Sequence, residues 1–113
     1  MTNRVSSKIA RGSAEVAILT LLAEQSLYGF EIAKLIQQRT KGALSFTLAS
    51  LYPMLYELEM RGWVSGRSEA NRAGRDRRYY CLTAAGKKAL APLRREWKVF
   101  FRALDRLAGV ADA

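Results

Sequence analysis

Along most of the chain, apolar residues return at helical spacing, and a shorter stretch alternates like a strand; the places where the period changes mark the elements. Val16, Leu19, Leu22 and Ala23, with Ile18 alongside, predict a first helix over Ala14–Glu24, with Ser13 placed to cap it. Gln25-Ser26-Leu27 is a short break. Tyr28-Gly29-Phe30-Glu31 then opens a second helix to about Arg39, with Ile32, Leu35 and Ile36 inward. A glycine near a helix start, here Gly29, predicts that something packs closely against it. After a connection from Thr40 to Phe46, a third helix is predicted between Thr47 and Gly62, the one as cap and the other as left-handed stop. Leu48, Leu51, Tyr52, Leu55 and Leu58 form its expected buried face, which leaves Ser50, Pro53, Met54, Glu57 and Arg61 free to meet a partner. Pro53 forfeits a backbone hydrogen bond, so either the regular helix begins nearer Ser50 or a kink is tolerated.

Past Gly62 the pattern changes. Trp63-Val64-Ser65 and Arg78-Tyr79-Tyr80-Cys81-Leu82 are rich in strand formers and flank a polar, turn-prone middle, which predicts a β-hairpin. That middle, from Gly66 to Arg77, carries Arg67, Arg72, Arg75 and Arg77, with Arg78 at the strand start. A solvated charge run is the ordinary explanation for such a loop. Arginine at every cationic position favours contact with phosphate or a groove, because the guanidinium fork matches phosphate oxygens. Thr83 caps a last helix whose apolar residues Leu90, Leu93, Trp97, Phe100, Leu104 and Leu107 are separated by 3, 4, 3, 4 and 3 positions, a heptad stripe with Phe101 beside it. So little core precedes this helix that the stripe is expected to pack on a second copy of the chain, not back on its own subunit. Pro92 is expected to mark a bend between the hairpin-bearing domain and this arm.

Composition narrows the function. With 113 residues, half of them hydrophobic, one compact domain plus an interface is expected. No window is long and apolar enough to span a membrane, the N-terminus lacks the apolar core of a signal peptide, and a cytoplasmic protein with no membrane partner is expected. Cys81 is the sole cysteine and is expected to be a small buried thiol. No histidine, no glycine-rich phosphate loop and no metal-ligand spacing are present, so an enzyme is not expected, nor any cofactor or metal. The formal charge of +9, or +18 for a symmetric pair of chains, favours a polyanionic partner. Lys8 and Arg11 at the N-terminus are either part of a solvated lead-in or an arm that contacts phosphate.

Three helices, a basic hairpin and a long final helix make a mostly α chain with a minor β part, a winged helix-turn-helix over residues 1–83 followed by a dimerisation helix over residues 84–113. The residues at the joints resemble those of the PadR family of bacterial transcription regulators: Tyr28-Gly29 with Glu31, Leu51-Tyr52-Pro53 with Leu55, Leu58-Glu59 and Gly62, then Arg78-Tyr79-Tyr80-Cys81-Leu82-Thr83 and Gly86. The resemblance covers roughly Gly12 to Trp97. It implies a homodimeric repressor that binds a roughly palindromic double-stranded DNA operator and lets go when a small molecule binds. It also implies that Thr47, Ser50 and Tyr52 face DNA or its phosphates at the start of the reading helix, joined, by region only, by the wing residues Arg72, Arg75 and Arg77. Arg61, on the free face of the same helix, is a further DNA-binding candidate from its spacing alone. Met54 and Tyr56 depart from the small or basic residues frequent there, so base preference does not carry over. Trp97 matches an aromatic position that stacks flat ligands in some relatives, which makes Trp97, Phe100 and Phe101 the candidate effector site, although a tryptophan in a heptad stripe packs without one. Two other readings compete: a nonspecific architectural DNA- or RNA-binding protein, and an interaction module that scaffolds another protein.

Overall fold

The computed structural model describes residues 7–70 and 76–109, with side chains over 13–69 and 77–109. The chain runs α1 (Ser7–Glu24), β1 (Leu27–Tyr28), α2 (Gly29–Arg39), α3 (Leu48–Met60), β2 (Val64–Ala70), β3 (Asp76–Leu82) and α4 (Ala84–Ala108). It is an α-helical domain with one small antiparallel sheet in the order β1-β3-β2.

α1 starts earlier than predicted. Ser13 is inside the helix because Lys8, Ala10 and Arg11 before it are good helix formers and continue the ladder. Its phase also differs, since Ala14, Ile18, Leu19, Leu21 and Leu22 are buried while Val16 is half-buried and Ala23 exposed. The reason is that α1 is surrounded: it packs on α2, α3, α4 and β3, so the buried arc is wider than one stripe. Ile18 and Leu19 join Ile32, Leu51, Leu55 and Leu58 at the centre of the core.

The break after α1 is itself a strand, with Leu27 paired to Tyr80 and Tyr28 to Tyr79. α2 then begins as expected, with the Glu31 carboxylate accepting the Tyr28 backbone N–H at 2.9 Å. A bidentate pair between Arg39 and Glu24, 2.8 Å at its Nη1, ties the ends of α2 and α1 together and holds the Glu24 carboxyl below its usual range.

α3 is one continuous helix that contains Pro53, so the early start holds and the proline is accommodated inside it. Thr47 caps it, accepting the Ser50 N–H at 3.1 Å. It ends in a Schellman motif, with the Trp63 N–H on the Leu58 carbonyl at 3.0 Å, the Gly62 N–H on that of Glu59 at 2.9 Å, and Gly62 at φ 78°. Leu48 and Tyr52 were expected on the buried face and are exposed instead, 41% and 40%. Leu48 is in the first turn, beyond the reach of the core, and the ring of Tyr52 leans over α2.

The hairpin strands reach further than predicted. Ser68 pairs with Arg78 and Glu69 with Arg77, so Arg67 and Arg77 are ladder residues, not loop residues. A two-stranded ribbon open to water needs backbone pairing and cross-strand charge matching more than apolar alternation, so polar sequence hides it. Cys81 is on the ribbon's outer face, half-buried, with its thiol donating to the Ser65 carbonyl at 3.7 Å, which corrects the expectation of a buried thiol.

α4 is clipped to the end of α3. The Thr83 hydroxyl donates to the Gly62 carbonyl at 2.6 Å and accepts the Gly86 N–H at 3.0 Å, while the Thr83 N–H donates to the Trp63 carbonyl at 3.0 Å. Gly86 is obligatory, since a side-chain carbon there would lie 2.1 Å from the Trp63 carbonyl oxygen. The predicted heptad stripe divides. Leu90 is buried in the core of the domain and Leu93 packs against that core, while Phe100, Phe101, Leu104 and Leu107 are exposed.

Candidate nucleic-acid interface

Three buried leucines, Leu51, Leu55 and Leu58, fix the orientation of α3 and thereby turn Ala49, Ser50, Pro53, Tyr56, Glu57 and Met60 outward. Beside this face the inner side of the hairpin closes an open groove of about 1290 Å³, bordered by Ser50, Tyr52, Tyr56, Met60, Arg78 and Tyr80.

Two contacts set the shape of that groove. A side-chain carbon at Gly29 would lie 2.8 Å from both the ring edge and the hydroxyl of Tyr52. The sequence required a close neighbour for Gly29, and Tyr52 is that neighbour, so the ring is held against the start of α2 with its surface still open to the groove. On the other side Arg78 grips Glu59, Nη2 to Oε2 at 2.8 Å and Nε to Oε1 at 3.4 Å, raising the guanidinium pKa further. This fork passes over Gly66, whose missing side chain would meet Glu59 Oε1 at 2.8 Å and Arg78 Nε at 2.9 Å. Arg78 therefore anchors the hairpin to α3. Sequence reasoning counted it among the loop cations; a glycine in a strand interior, the mark of a close approach, was the signal for the clamp. Next to the clamp, burial raises the pKa of the Tyr80 phenol.

The outer side of the hairpin has its own anchor. The guanidinium carbon of Arg77 lies 5.5 Å from the Tyr28 ring centroid and 5.4 Å from that of Phe30, two rings only 9° from parallel. Tyr28 meets Tyr79 edge-on at 4.8 Å and donates its hydroxyl to Glu69 at 3.0 Å, a bond that raises the phenol's pKa. Strands β2 and β3 are thus latched to the start of α2 through side chains that no sequence motif brought together.

The remaining predicted residues fall in different places. Thr47 and Ser50 stand together at the exposed start of α3, with their hydroxyls 3.1 Å apart. Arg61 is at the far end of the same helix, where it pairs with Glu15 at 2.7 Å and covers the Trp63 ring at 5.2 Å. Lys8 and Arg11 belong to α1, but their side chains lie outside the described residues, as do Arg72 and Arg75. Trp97, Phe100 and Phe101 form a cluster on α4, with ring centroids 5.4 to 6.0 Å apart. Positive charge avoids the outward face of α3, while seven of the nineteen cationic residues fall on α4. Among the described residues no group of carboxylates and thiols could hold a metal ion, and no helix is long and apolar enough to cross a membrane.

Comparison with known proteins agrees with this geometry. Residues 18–92 match the model of the transcriptional regulator PadR-like family. An uncharacterized protein of Lysinibacillus sphaericus is 34% identical over 93 residues, covering 82% of this chain and 85% of its own. Among solved structures, a transcriptional regulator from Clostridium thermocellum is 28% identical with a TM-score of 0.82 over 92% of this chain and 98% of that one. Bacillus subtilis PadR in complex with operator DNA is 26% identical with a TM-score of 0.65, over 71% of this chain and 44% of that one.

Proposed function

The chain belongs to the PadR-like family of transcriptional regulators, and from that membership we propose that it acts as a homodimer which binds a double-stranded DNA operator and represses a nearby operon. The observation that carries this reading is the groove between the exposed face of α3 and the inner side of the hairpin, held open by Tyr52 on one wall and the Arg78–Glu59 clamp on the other. The similarity to a regulator solved on operator DNA supports it. Two copies related by a two-fold axis present two α3 helices to major grooves about 34 Å apart. Thr47, Ser50 and Tyr52 are assigned to the DNA side at the start of α3. Arg72, Arg75 and Arg77 on the wing, Lys8 and Arg11 in the first turns of α1, and Arg61 are assigned to the backbone, where phosphate contacts supply affinity without sequence. If each subunit neutralises about four phosphates, log K falls with log salt at a slope near −7.

The exposed stripe of Phe100, Leu104 and Leu107 supports the dimer, since apolar side chains in this number are seldom left uncovered. The cluster of Trp97, Phe100 and Phe101 beside it supports release by a small hydrophobic or aromatic effector, which would shift the crossing of the two α4 helices and with it the half-site spacing. Titrating flat aromatic dyes into the protein should quench tryptophan emission, and no change up to the dyes' solubility would remove the effector from this reading.

Sedimentation with labelled DNA from immediately upstream of the chain's own gene, against excess random DNA and across salt, tests the main proposal. A dimer that holds the upstream DNA roughly a hundredfold or more above random sequence is expected for an operator-specific regulator. Equal, purely salt-driven binding to both, repeated with a pool selected from random DNA, would leave a nonspecific architectural protein.

A further inference from the structure

Over Leu48–Met60, α3 contains no arginine, lysine, histidine, asparagine or glutamine. Its outward ridge is Ala49, Pro53, Tyr56 and Met60, four residues whose helical spacing puts them on one line, with Tyr56 64% and Met60 71% exposed. Glu57 stands on the shoulder of that ridge, along the same side as Ser50, and among the described residues no cation is paired with it. Glu59, two residues on, faces the hairpin and is held by Arg78.

The edges of base pairs in the major groove demand different chemistry. Guanine presents two acceptors and is met by arginine or lysine; adenine presents a donor and an acceptor and is met by asparagine or glutamine. Thymine offers a methyl group to apolar side chains, and cytosine offers its N4 amino group to a carboxylate. α3 carries the last two kinds of partner and lacks the first two. Resting on the reading of α3 as the base-reading helix, we infer that the ridge reads thymine methyl groups and that Glu57 accepts from a cytosine N4 amino group. Glu57 is then the residue that sets specificity at one position of each half-site.

The same carboxylate repels any edge that offers acceptors alone, guanine above all, and it lowers affinity for bulk DNA through the phosphates. An apolar ridge could also dock another protein. Nucleic acid is favoured because the ridge is one helix wide and the chain that carries it has a formal charge of +9, with Ser50 and Glu57 along one side of the ridge to meet polar base edges.

The full chain, incubated with random duplexes and excess competitor, is expected to enrich a site with thymines and one cytosine position per half-site. Two perturbations then probe the assignment. Replacing the thymines of the enriched site by deoxyuridine removes only the methyl groups and should weaken binding several-fold or more. Repeating the selection with Glu57→Gln should change the cytosine position to adenine, with a preference of roughly tenfold, because a carboxamide supplies the donor and acceptor adenine needs. An enriched site dominated by guanine, indifferent to deoxyuridine and unchanged by Glu57→Gln, would overturn this inference and leave the operator reading standing. A pool that never enriches would overturn both.

Discussion

The two ends of α4 have the same kind of sequence and different surroundings. At its start the helix is built into the domain: the Thr83 cap and Gly86 lie against the Gly62 and Trp63 carbonyls after α3, and Leu90 is buried in the core. Two heptads after Leu90, Leu104 is 36% exposed, and Leu107 beyond it is 86% exposed. Leu90 and Leu104 are the same residue at the same heptad position, yet one completes a core and the other is left partly uncovered. A heptad stripe shows which face of a helix is apolar; what covers that face depends on where the rest of the chain runs out.

The largest effect should come from breaking the built-in end. Gly86→Ala pushes a methyl carbon into the Trp63 carbonyl, and neither backbone can move without undoing the Thr83 clip. A cost of about 4 kcal/mol is expected, above the usual range for overpacking because the clash is with backbone that cannot shift. Urea titration followed by circular dichroism measures it, and a loss below about 1 kcal/mol would mean that the start of α4 is not held as described.

The paired leucines sharpen the comparison. Leu90→Ala should destabilise the fold by roughly 2–3 kcal/mol, since it empties a site at the edge of the core. Leu104→Ala should leave the isolated fold within about 0.5 kcal/mol. Its effect should appear in sedimentation as weaker self-association, and as a melting temperature that no longer rises with protein concentration. Equal effects of the two substitutions on the fold would show that the outer half of α4 folds back onto its own domain.

This contrast also explains what was legible in the sequence. Leu51, Leu55 and Leu58, the caps at Thr47 and Thr83, and the left-handed Gly62 could all be read in advance because each rests on neighbours a few residues away. The length of the hairpin, the division of the stripe at Leu93 and the half-exposed Cys81 could not, because each depends on what a distant segment covers. The same holds at the site. Thr47 and Ser50 were visible at the start of α3, whereas the Arg78–Glu59 clamp and the Arg77 platform on Tyr28 and Phe30 join residues 19 or more positions apart. Gly66 was a local trace of the clamp, as Gly29 was of the Tyr52 ring, and a glycine reports that something is close without naming it.

The smallest predicted effect separates the two regions by a single backbone conformation. Gly62 and Gly109 both take positive φ at a helix end, 78° and 64°, and neither has a neighbour that a side-chain carbon would strike. Alanine at either position therefore meets the same intrinsic strain, about 1 kcal/mol or slightly more for a left-handed residue. At Gly62 the strain has nowhere to go, because its carbonyl accepts the Thr83 hydroxyl and the next residue, Trp63, supplies the carbonyl that holds the Thr83 N–H. Gly62→Ala should accordingly lower global stability by the full amount. At Gly109, after the exposed Leu107 and Ala108, the last turn of α4 can fray and release the strain locally, so Gly109→Ala should cost less than about 0.5 kcal/mol globally. Hydrogen exchange places the loss: protection should fall throughout the core in Gly62→Ala, and only in the last turn of α4 in Gly109→Ala. If Gly109→Ala lowered protection throughout the core, the outer half of α4 would be as much a part of the cooperative domain as its start.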